Sequence, residues 1–281
     1  MEPTFLKQLP GSNTQTRDDL FKGKKFIAPA NDSSLALVKS VQQLIASKLG
    51  VTDIRKAHLE MSDSVFFEKM GELRRIFYLE ARYHDQLRDL LASHDFDPDR
   101  CAFDPLRIRV ILPGGHHNPK AAPVYYAHRD TWYAHPQSLI VGWIPLHDLA
   151  EEETFEFYPD YFNKPVPNDS EIFNYAEWIK DGPALKIGWQ NKDSGLTADY
   201  PRSLLETPPT RAHGFAIRKG QTLLFSGSQF HQTREQDLGT IRYSLDFRVV
   251  DLDDIAGNRG APNVDNRSRG NILADYIQPE S

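Results

Sequence analysis

The hydrophobic pattern of the first hundred residues becomes helical after a polar start. Residues 1–32 mix polar and apolar side chains without a period, and we expect an extended arm there. After Ser33 and Ser34, which suit a helix N-cap, apolar residues recur at helical spacing as far as Gly50. A second stretch with this period and no proline runs from about residue 63 to residue 91. The pattern therefore predicts a helical cover over residues 33–104.

Short strand patterns follow Pro105. The predicted strands cover residues 106–112, 124–128, 138–146, 154–158 and 241–250, and residues 214–217 and 222–225 flank a turn in the manner of a hairpin. Residues 159–212 are rich in Pro, Asn and Asp and show little period, which predicts a long insert. Residues 251–281 form a polar tail.

This order of elements indicates an α+β chain with a mainly β core. Two helices followed by many short strands predict an antiparallel sandwich or jelly roll with the N-terminal helices packed on it. We expect a single domain over residues 1–281, whose core spans residues 105–250.

Composition and charge narrow the classes of function. The 281 residues include 33 basic and 39 acidic side chains, a net charge of −6, which argues against general nucleic-acid binding. The single cysteine, Cys101, excludes an intramolecular disulfide framework and suits a reducing compartment. No apolar run reaches the roughly 20 residues that span a bilayer, and the N-terminus lacks an apolar signal core. We expect a cytoplasmic monomer or homodimer without membrane or nucleic-acid partners.

Three residues at predicted strand ends have the pattern of a metal site. His128 and Asp130 stand two residues apart, so strand alternation sends them to the same side of the chain. His231 follows the strand pattern of residues 222–225 and offers a third donor. Two imidazoles and one carboxylate form the facial triad of non-haem Fe(II) oxygenases, which leaves three coordination positions open.

The last predicted strand begins with a candidate anion site. Arg242 lies eleven residues after His231, and alternation places it on the same face as Ser244. A guanidinium beside a hydroxyl suits bidentate capture of a carboxylate. An inward arginine needs such a partner, because an unpaired buried charge is costly.

Together, His128-x-Asp130, His231 and Arg242-x-Ser244 resemble the Fe(II)/2-oxoglutarate-dependent dioxygenases, with closer likeness to the phytanoyl-CoA dioxygenase-like branch. Residues 128–132, 143–148, 219–225 and 242–248 resemble stretches of that branch, and the likeness covers roughly residues 105–250. The resemblance implies a double-stranded β-helix, the cupin-like jelly roll. It also implies that His128, Asp130 and His231 hold Fe(II).

The same resemblance implies a reaction. Arg242, helped by Ser244 or Thr233, would pair with the distal carboxylate of 2-oxoglutarate, whose keto-acid end would chelate the iron. O₂ would be activated by oxidative decarboxylation to succinate and CO₂, and a C–H bond of a small-molecule metabolite would be oxidised. Hydroxylation is the expected outcome, in the setting of natural-product biosynthesis. Asp130 argues against halogenation, because related halogenases carry a small residue there.

Other residues near the triad are candidates for secondary roles. Expected substrate contacts are Trp132, Tyr126 and Arg248, although Arg248 can equally pair with Asp246 or Asp251. Competing metal ligands are His116, His117, His135 and His147. The first two follow Gly114-Gly115 and are expected in a turn.

Two other classes of function use the same three ligands. One is a non-catalytic cupin-like protein that binds a metal or a ligand. The other, less well supported, is a Zn²⁺ hydrolase in which the metal lowers the pKa of a bound water. Arg242 and Ser244 discriminate, because an oxygenase of this kind needs a carboxylate anchor beside the metal and the other two do not.

Overall fold

A layer of helices packs on one face of an antiparallel sheet in the computed structural model, which describes residues 4–181, 200–207, 209 and 211–279. The helices are α1 (Asn13–Phe21), α2 (Asp32–Leu49), α3 (Asp63–Leu79), α4 (Ala81–Ala92), α5 (Tyr175–Trp178) and α6 (Leu252–Ala256). The strands are β1 (Phe26–Ala28), β2 (Cys101–Phe103), β3 (Arg107–Ile111), β4 (Ile140–Pro145), β5 (Phe155–Phe157), β6 (Thr222–Ser226), β7 (His231–Thr233) and β8 (Arg242–Asp251).

Two antiparallel sheets make up the β structure. Six strands form the larger sheet in the order β1-β6-β4-β8-β2, and β3 also pairs with β8. Strands β5 and β7 form the smaller sheet. Two isolated bridges extend it: one pairs His128 with His231, and the other pairs Phe157 with His213. The combination of helices with antiparallel sheets is confirmed. Closure of the smaller sheet into a full jelly roll stays a prediction, since among the described residues it has two strands.

Strand β8 shows how the larger sheet divides the interior. Its apolar side chains on one face, Tyr243, Leu245, Phe247 and Val249, join the core beneath the helices. The alternate residues Arg242, Ser244, Asp246 and Arg248 are equally buried on the opposite face. Because buried charges need partners, this polar inner face marks where the chemistry of the protein is to be sought.

The prediction of an extended arm over residues 1–32 is wrong. Ser12 caps α1 by accepting a hydrogen bond from the Gln15 amide, and β1 adds an edge strand by pairing with β6. Arg17 reaches the C-terminal tail, where its guanidinium pairs with Asp251 and Asp254. Tertiary contacts order this segment, including ion pairs with residues more than 230 positions away. Its order therefore leaves no hydrophobic period in the sequence.

The helical predictions are confirmed with shifted boundaries. Helix α2 is capped at its C-terminus by Gly50, whose φ of 73° is left-handed, as predicted. Its N-cap is Asn31 rather than Ser33 or Ser34, and the Asn31 side chain accepts a hydrogen bond from the Ser34 amide. The second predicted helix is divided at Glu80, an extended residue that separates α3 from α4. The division leaves both apolar faces directed at the core beneath the larger sheet.

Five predicted strand segments are confirmed as β3, β4, β5, β6 and β8, whereas the strand over residues 124–128 and the hairpin pairing of residues 214–217 with 222–225 are wrong. Residues 119–125 form a 3₁₀ helix, because Pro119 and Pro123 have no amide to donate to a sheet. The turn near Gly220 exists, with a φ of 78°, but the segments beside it do not pair with each other. Ile217 bridges to Leu149 whereas β6 pairs with β1 and β4, so the turn connects different parts of the β structure.

The predicted insert over residues 159–212 contains α5 and short 3₁₀ turns. Its residues 182–199, 208 and 210 lie outside the described part of the chain. None of the helices in the described ranges combines the length and the apolar character that crossing a bilayer requires.

A buried histidine ties the helical layer to the sheet and makes stability pH-dependent. His94, just after α4, contacts the Thr222 hydroxyl at 3.0 Å, and burial lowers its pKa to about 4. Between pH 6.5 and 4 the unfolded chain therefore binds a proton that the folded chain does not, so stability falls as pH falls. We expect His94 to contribute a loss of about 2 kcal/mol between pH 7 and pH 5.

The variant His94→Gln checks this expectation. Glutamine keeps an amide that can contact Thr222 but does not titrate, so the free energy of unfolding should depend less on pH. Urea unfolding of both proteins at pH 7 and pH 5 measures the difference. Parallel pH profiles would contradict the assignment.

Candidate metal centre

Main-chain pairing brings the two predicted histidine ligands together. The His128 amide donates to the His231 carbonyl and the His231 amide donates to the His128 carbonyl, both at 3.0 Å. This single bridge continues the smaller sheet beyond β7 and places the imidazole centroids 4.5 Å apart. The histidines lie 103 positions apart in the sequence, and the bridge sets their spacing.

Both imidazoles present the same nitrogen to the site. His128 Nδ1 lies 2.8 Å from the Tyr126 carbonyl, and His231 Nδ1 lies 3.0 Å from the Gln229 carbonyl. A carbonyl only accepts, so we assign the proton of each neutral ring to Nδ1. The Nε2 lone pairs are then free to bind a metal, as is usual where the other ring nitrogen donates to the protein.

Asp130 completes the cluster from the start of a 3₁₀ turn. Its Oδ2 lies 3.7 Å from His231 Nε2, and one possible ligand atom from each of the three residues lies within 4.8 Å of the others. Arg248 Nη2 donates to the other oxygen, Oδ1, at 2.8 Å. Arg248 thus holds the carboxylate in position and leaves Oδ2 directed at the histidines.

Electrostatics keeps all three ligands in the deprotonated state that metal binding requires. Burial lowers the pKa of His128 to about 4, with a further contribution from His231, and burial also lowers the pKa of His231. Burial alone would raise the pKa of Asp130, but Arg248 and the two imidazoles lower it below its ordinary value. The cluster is therefore two neutral imidazoles and one carboxylate at neutral pH.

Aromatic rings surround the histidines. Phe155, Phe157 and Phe225 lie with ring centroids 5.4–5.9 Å from that of His231, and Tyr133 packs edge-on against His128 at 5.6 Å. Such rings restrict rotation of the imidazoles and keep water from the side of the site that they cover.

Arg242 lies buried on the same inner face. The residue is only 3% exposed. Its Nη1 donates a hydrogen bond to the Thr154 carbonyl at 3.2 Å and a longer one to the Glu153 carbonyl at 3.4 Å. The guanidinium lies over the Trp143 ring, 5.8 Å from its centroid. No carboxylate in the described part of the chain lies within 4 Å of it, and burial lowers its pKa to about 10.

Two buried polar atoms on the inner face of strand β8, one of them in Arg242 itself, have no hydrogen-bond partner among the described residues. Arg242 Nε and Ser244 Oγ are both buried without a hydrogen bond to any described residue. Tyr125 lies close enough for its phenol to interact electrostatically with the guanidinium. Thr233, on β7 opposite Phe155, is partly buried. A guanidinium with an unused N–H and a hydroxyl on the same face of one strand are groups that suit a carboxylate.

Two of the three residues expected at the substrate are placed elsewhere. Trp132 is completely buried, and its Nε1 donates to Asp265 at 2.8 Å, which leaves it no surface for a ligand. Arg248 is buried and is engaged by Asp130, with Asp104 and Asp246 also nearby. Tyr126 remains partly buried, with the Arg202 guanidinium over its ring. Of the competing ligands, His135 instead contacts the Tyr276 hydroxyl.

Sequence reasoning missed the role of Asp265 in the tail. This carboxylate accepts from Arg129 Nε at 3.0 Å, from Trp132 Nε1 at 2.8 Å and from the Val166 amide at 2.9 Å. The Arg129 guanidinium also donates to the carbonyls of Tyr161 and Lys164. Asp265 and Arg129 therefore anchor the segment that carries His128 and Asp130 to both the insert and the tail.

Replacing Asp265 by asparagine should destabilise the fold by about 3 kcal/mol, since Arg129 would be left buried without its counter-charge. Both side chains are at most 4% exposed, so water cannot compensate. The free energy of unfolding in urea measures the loss. Glu171→Gln is the matched control, because the Glu171–Arg267 pair joins the same two regions but is more than half exposed. Equal, small losses in both variants would contradict the anchoring role.

Comparisons with known proteins give distant structural likenesses. No protein-family model matches the chain, and no curated protein matches it. Similar solved structures include EvdO2 from Micromonospora carbonacea var. aurantiaca, at 12% identity and a TM-score of 0.48 over 88% of this chain and 94% of that one. They also include the epimerase SnoN, in complex with Fe³⁺, alpha-ketoglutarate and nogalamycin RO, at 13% identity and a TM-score of 0.45 over 89% and 96% of the two chains. Such values do not assign the chain to a family.

Proposed function

We propose that this chain is an Fe(II)- and 2-oxoglutarate-dependent oxygenase of the phytanoyl-CoA dioxygenase-like type. The observation that carries the proposal is the combination of the His128–Asp130–His231 cluster with a buried Arg242 in the β core that has no carboxylate of a described residue within 4 Å. Two imidazoles and one carboxylate match the donor set of non-haem Fe(II) oxygenases. The buried arginine supplies the charge that a dicarboxylate co-substrate needs.

The residues present fit both groups. Fe(II) would be held by His128 Nε2, His231 Nε2 and Asp130 Oδ2. Asp130 is ionised, and the proton of each neutral imidazole is on Nδ1, which leaves Nε2 free. Arg242 and Ser244 would receive the distal carboxylate of 2-oxoglutarate, which would satisfy Arg242 Nε and Ser244 Oγ. Thr233 is a further candidate for that contact. When bound, Fe(II) and 2-oxoglutarate supply the activation of O₂, with loss of CO₂ and formation of succinate.

The protein's own part is orientation and exclusion of water. Arg248 holds one oxygen of Asp130, the Tyr126 and Gln229 carbonyls fix the imidazole rings, and the aromatic residues around His231 limit access. We propose hydroxylation of a C–H bond of a small-molecule metabolite in natural-product biosynthesis, by a cytoplasmic monomer or homodimer without nucleic-acid or membrane partners. The acidic net charge supports the absence of a nucleic-acid partner.

An anaerobic titration tests the proposal. Metal-free protein is given Fe(II) and then 2-oxoglutarate, and the visible absorption spectrum is followed. Chelation of the iron by the keto acid should produce a weak charge-transfer band that saturates at one equivalent of 2-oxoglutarate. Iron binding without this band would contradict the oxygenase and favour a non-catalytic metal-binding protein or a hydrolase. No iron binding would refute the ligand assignment.

A further inference from the structure

A second group of possible metal ligands lies near the protein surface, outside the centre described above. His116 and His117 occupy a 3₁₀ turn after β3, and Asp237 lies in the loop between β7 and β8. One possible ligand atom from each residue lies within 4.8 Å of the others. The Gly114 amide donates to the Gln236 carbonyl at 2.9 Å, which ties the two loops together.

The spacing of these atoms suits a bound ion better than direct hydrogen bonds. His116 Nε2 lies 3.8 Å from Asp237 Oδ2 and 3.9 Å from Glu235 Oε2, and His117 Nε2 lies 3.7 Å from Asp237 Oδ2. Hydrogen bonds between such atoms are about 2.7–3.2 Å long. Two ligands about 2.1 Å from a tetrahedral Zn²⁺ are themselves about 3.4 Å apart. The two histidine–Asp237 distances exceed that spacing by about 0.3–0.4 Å, so small side-chain movements would bring His116 and Asp237, or His117 and Asp237, to the spacing of ligands on one ion. The exposed Glu235 side chain, 3.9 Å from His116 Nε2, would turn in as the further ligand.

The charges and contacts of the cluster favour a cation. No lysine or arginine in the described ranges lies within 4 Å of the Glu235 or Asp237 carboxylates. The His116 side chain is only 13% exposed, and its Nδ1 is buried without a hydrogen-bond partner among the described residues. Its Nε2 lies within 4 Å of two carboxylates, whose ion-pair partners in the part of the chain that the structure describes are histidines alone. Two imidazoles and two carboxylates are donors that Zn²⁺ accepts readily.

We propose that His116, His117 and Asp237, with Glu235 as a fourth ligand, bind one divalent transition-metal ion of the Zn²⁺ type. The site is separate from the His128–Asp130–His231 cluster and does not depend on the oxygenase proposal. Tyr125 packs edge-on against His116 at 6.1 Å, and its phenol interacts electrostatically with Arg242. The second ion would thus lie one aromatic side chain from the arginine that we assign to the co-substrate.

Equilibrium dialysis of the full, metal-free chain against Zn²⁺ alone tests this proposal. The wild type should bind two ions, because Zn²⁺ also suits the first cluster. The double variant His117→Ala/Asp237→Asn should bind one, and His128→Ala should retain the one at the second site. Both residues of the double variant are mostly exposed, so it should fold normally, which circular dichroism checks. The control His58→Ala removes an imidazole outside both clusters and should bind two ions.

Two results would overturn the second site. One is a double variant that still binds as many ions as the wild type. The other is a His128→Ala variant that folds and binds no Zn²⁺, since the remaining cluster would then hold no ion. Cobalt(II) gives an independent readout, because four-coordinate Co²⁺ absorbs strongly in the visible range. That absorption should persist in His128→Ala and disappear when Asp237→Asn and His117→Ala are added.

Discussion

Replacing His231 by alanine should abolish Fe(II) binding and, with it, the consumption of 2-oxoglutarate. The substitution removes one of three candidate ligands, and the cluster has no fourth member among the described residues, where His135 contacts Tyr276 instead. Loss of an outer partner of a metal ligand already costs about 10–100-fold in affinity, so loss of the ligand itself should cost more than 100-fold. The fold should survive, because the pairing of His231 with His128 runs through main-chain atoms.

Fe(II) affinity and succinate formation measure the effect of His231→Ala. His84→Ala is a suitable control, because His84 hydrogen-bonds to the Tyr78 carbonyl and lies in helix α4, outside the metal cluster. The control should retain iron binding and turnover. A His231→Ala variant that binds Fe(II) as tightly as the wild type would show that the cluster is not the iron site.

Replacing Arg242 by alanine should remove 2-oxoglutarate binding while Fe(II) binding persists. Truncating one partner of a buried charge pair costs about 2–5 kcal/mol, so affinity for the co-substrate should fall roughly 30- to 5000-fold. Arg242 contacts carbonyls near β5 and the Trp143 ring, and none of the three metal ligands. The effects on metal and co-substrate should therefore separate.

The anaerobic titration distinguishes the two possible roles of Arg242. With Arg242→Ala, Fe(II) should bind but the charge-transfer band should appear only at much higher 2-oxoglutarate concentrations. Arg242→Lys keeps the charge and loses the planar fork, so it should recover part of the affinity. Equal loss of Fe(II) and 2-oxoglutarate binding in Arg242→Ala would indicate that Arg242 is structural.

The candidate site was predictable where local periodicity determines geometry. Strand alternation placed Arg242 and Ser244 on one face, and β8 shows them both buried there. The grouping of two histidines with one carboxylate was predictable from their residue types and from their positions near strand ends. The structure brings all three together. These inferences succeeded because they needed only the two-residue repeat of a strand and the chemistry of the donors.

The wrong predictions concern residues whose partners are distant in sequence. Trp132 was expected at the substrate but is buried against the tail, because Asp265 accepts its indole N–H. Arg248 was expected either there or in an ion pair with Asp246 or Asp251. It lies 3.7 Å from Asp246, but its main partner is Asp130, 118 positions away. The hydrophobic pattern around Trp132 or Arg248 contains no information about a partner more than 100 positions away, so the local sequence could not reveal either pairing.

By itself, the sequence determined the helical layer, five of the strands, the donor set of the candidate metal centre and the buried arginine on strand β8. Hydrophobic period and residue chemistry are local properties, and the chain displays them directly. The tertiary structure alone decided that residues 13–21 are helical, that Asp265 anchors the metal segment and that His116 and His117 meet Asp237. Those outcomes depend on contacts between residues that are distant in sequence, and such contacts are a property of the whole fold.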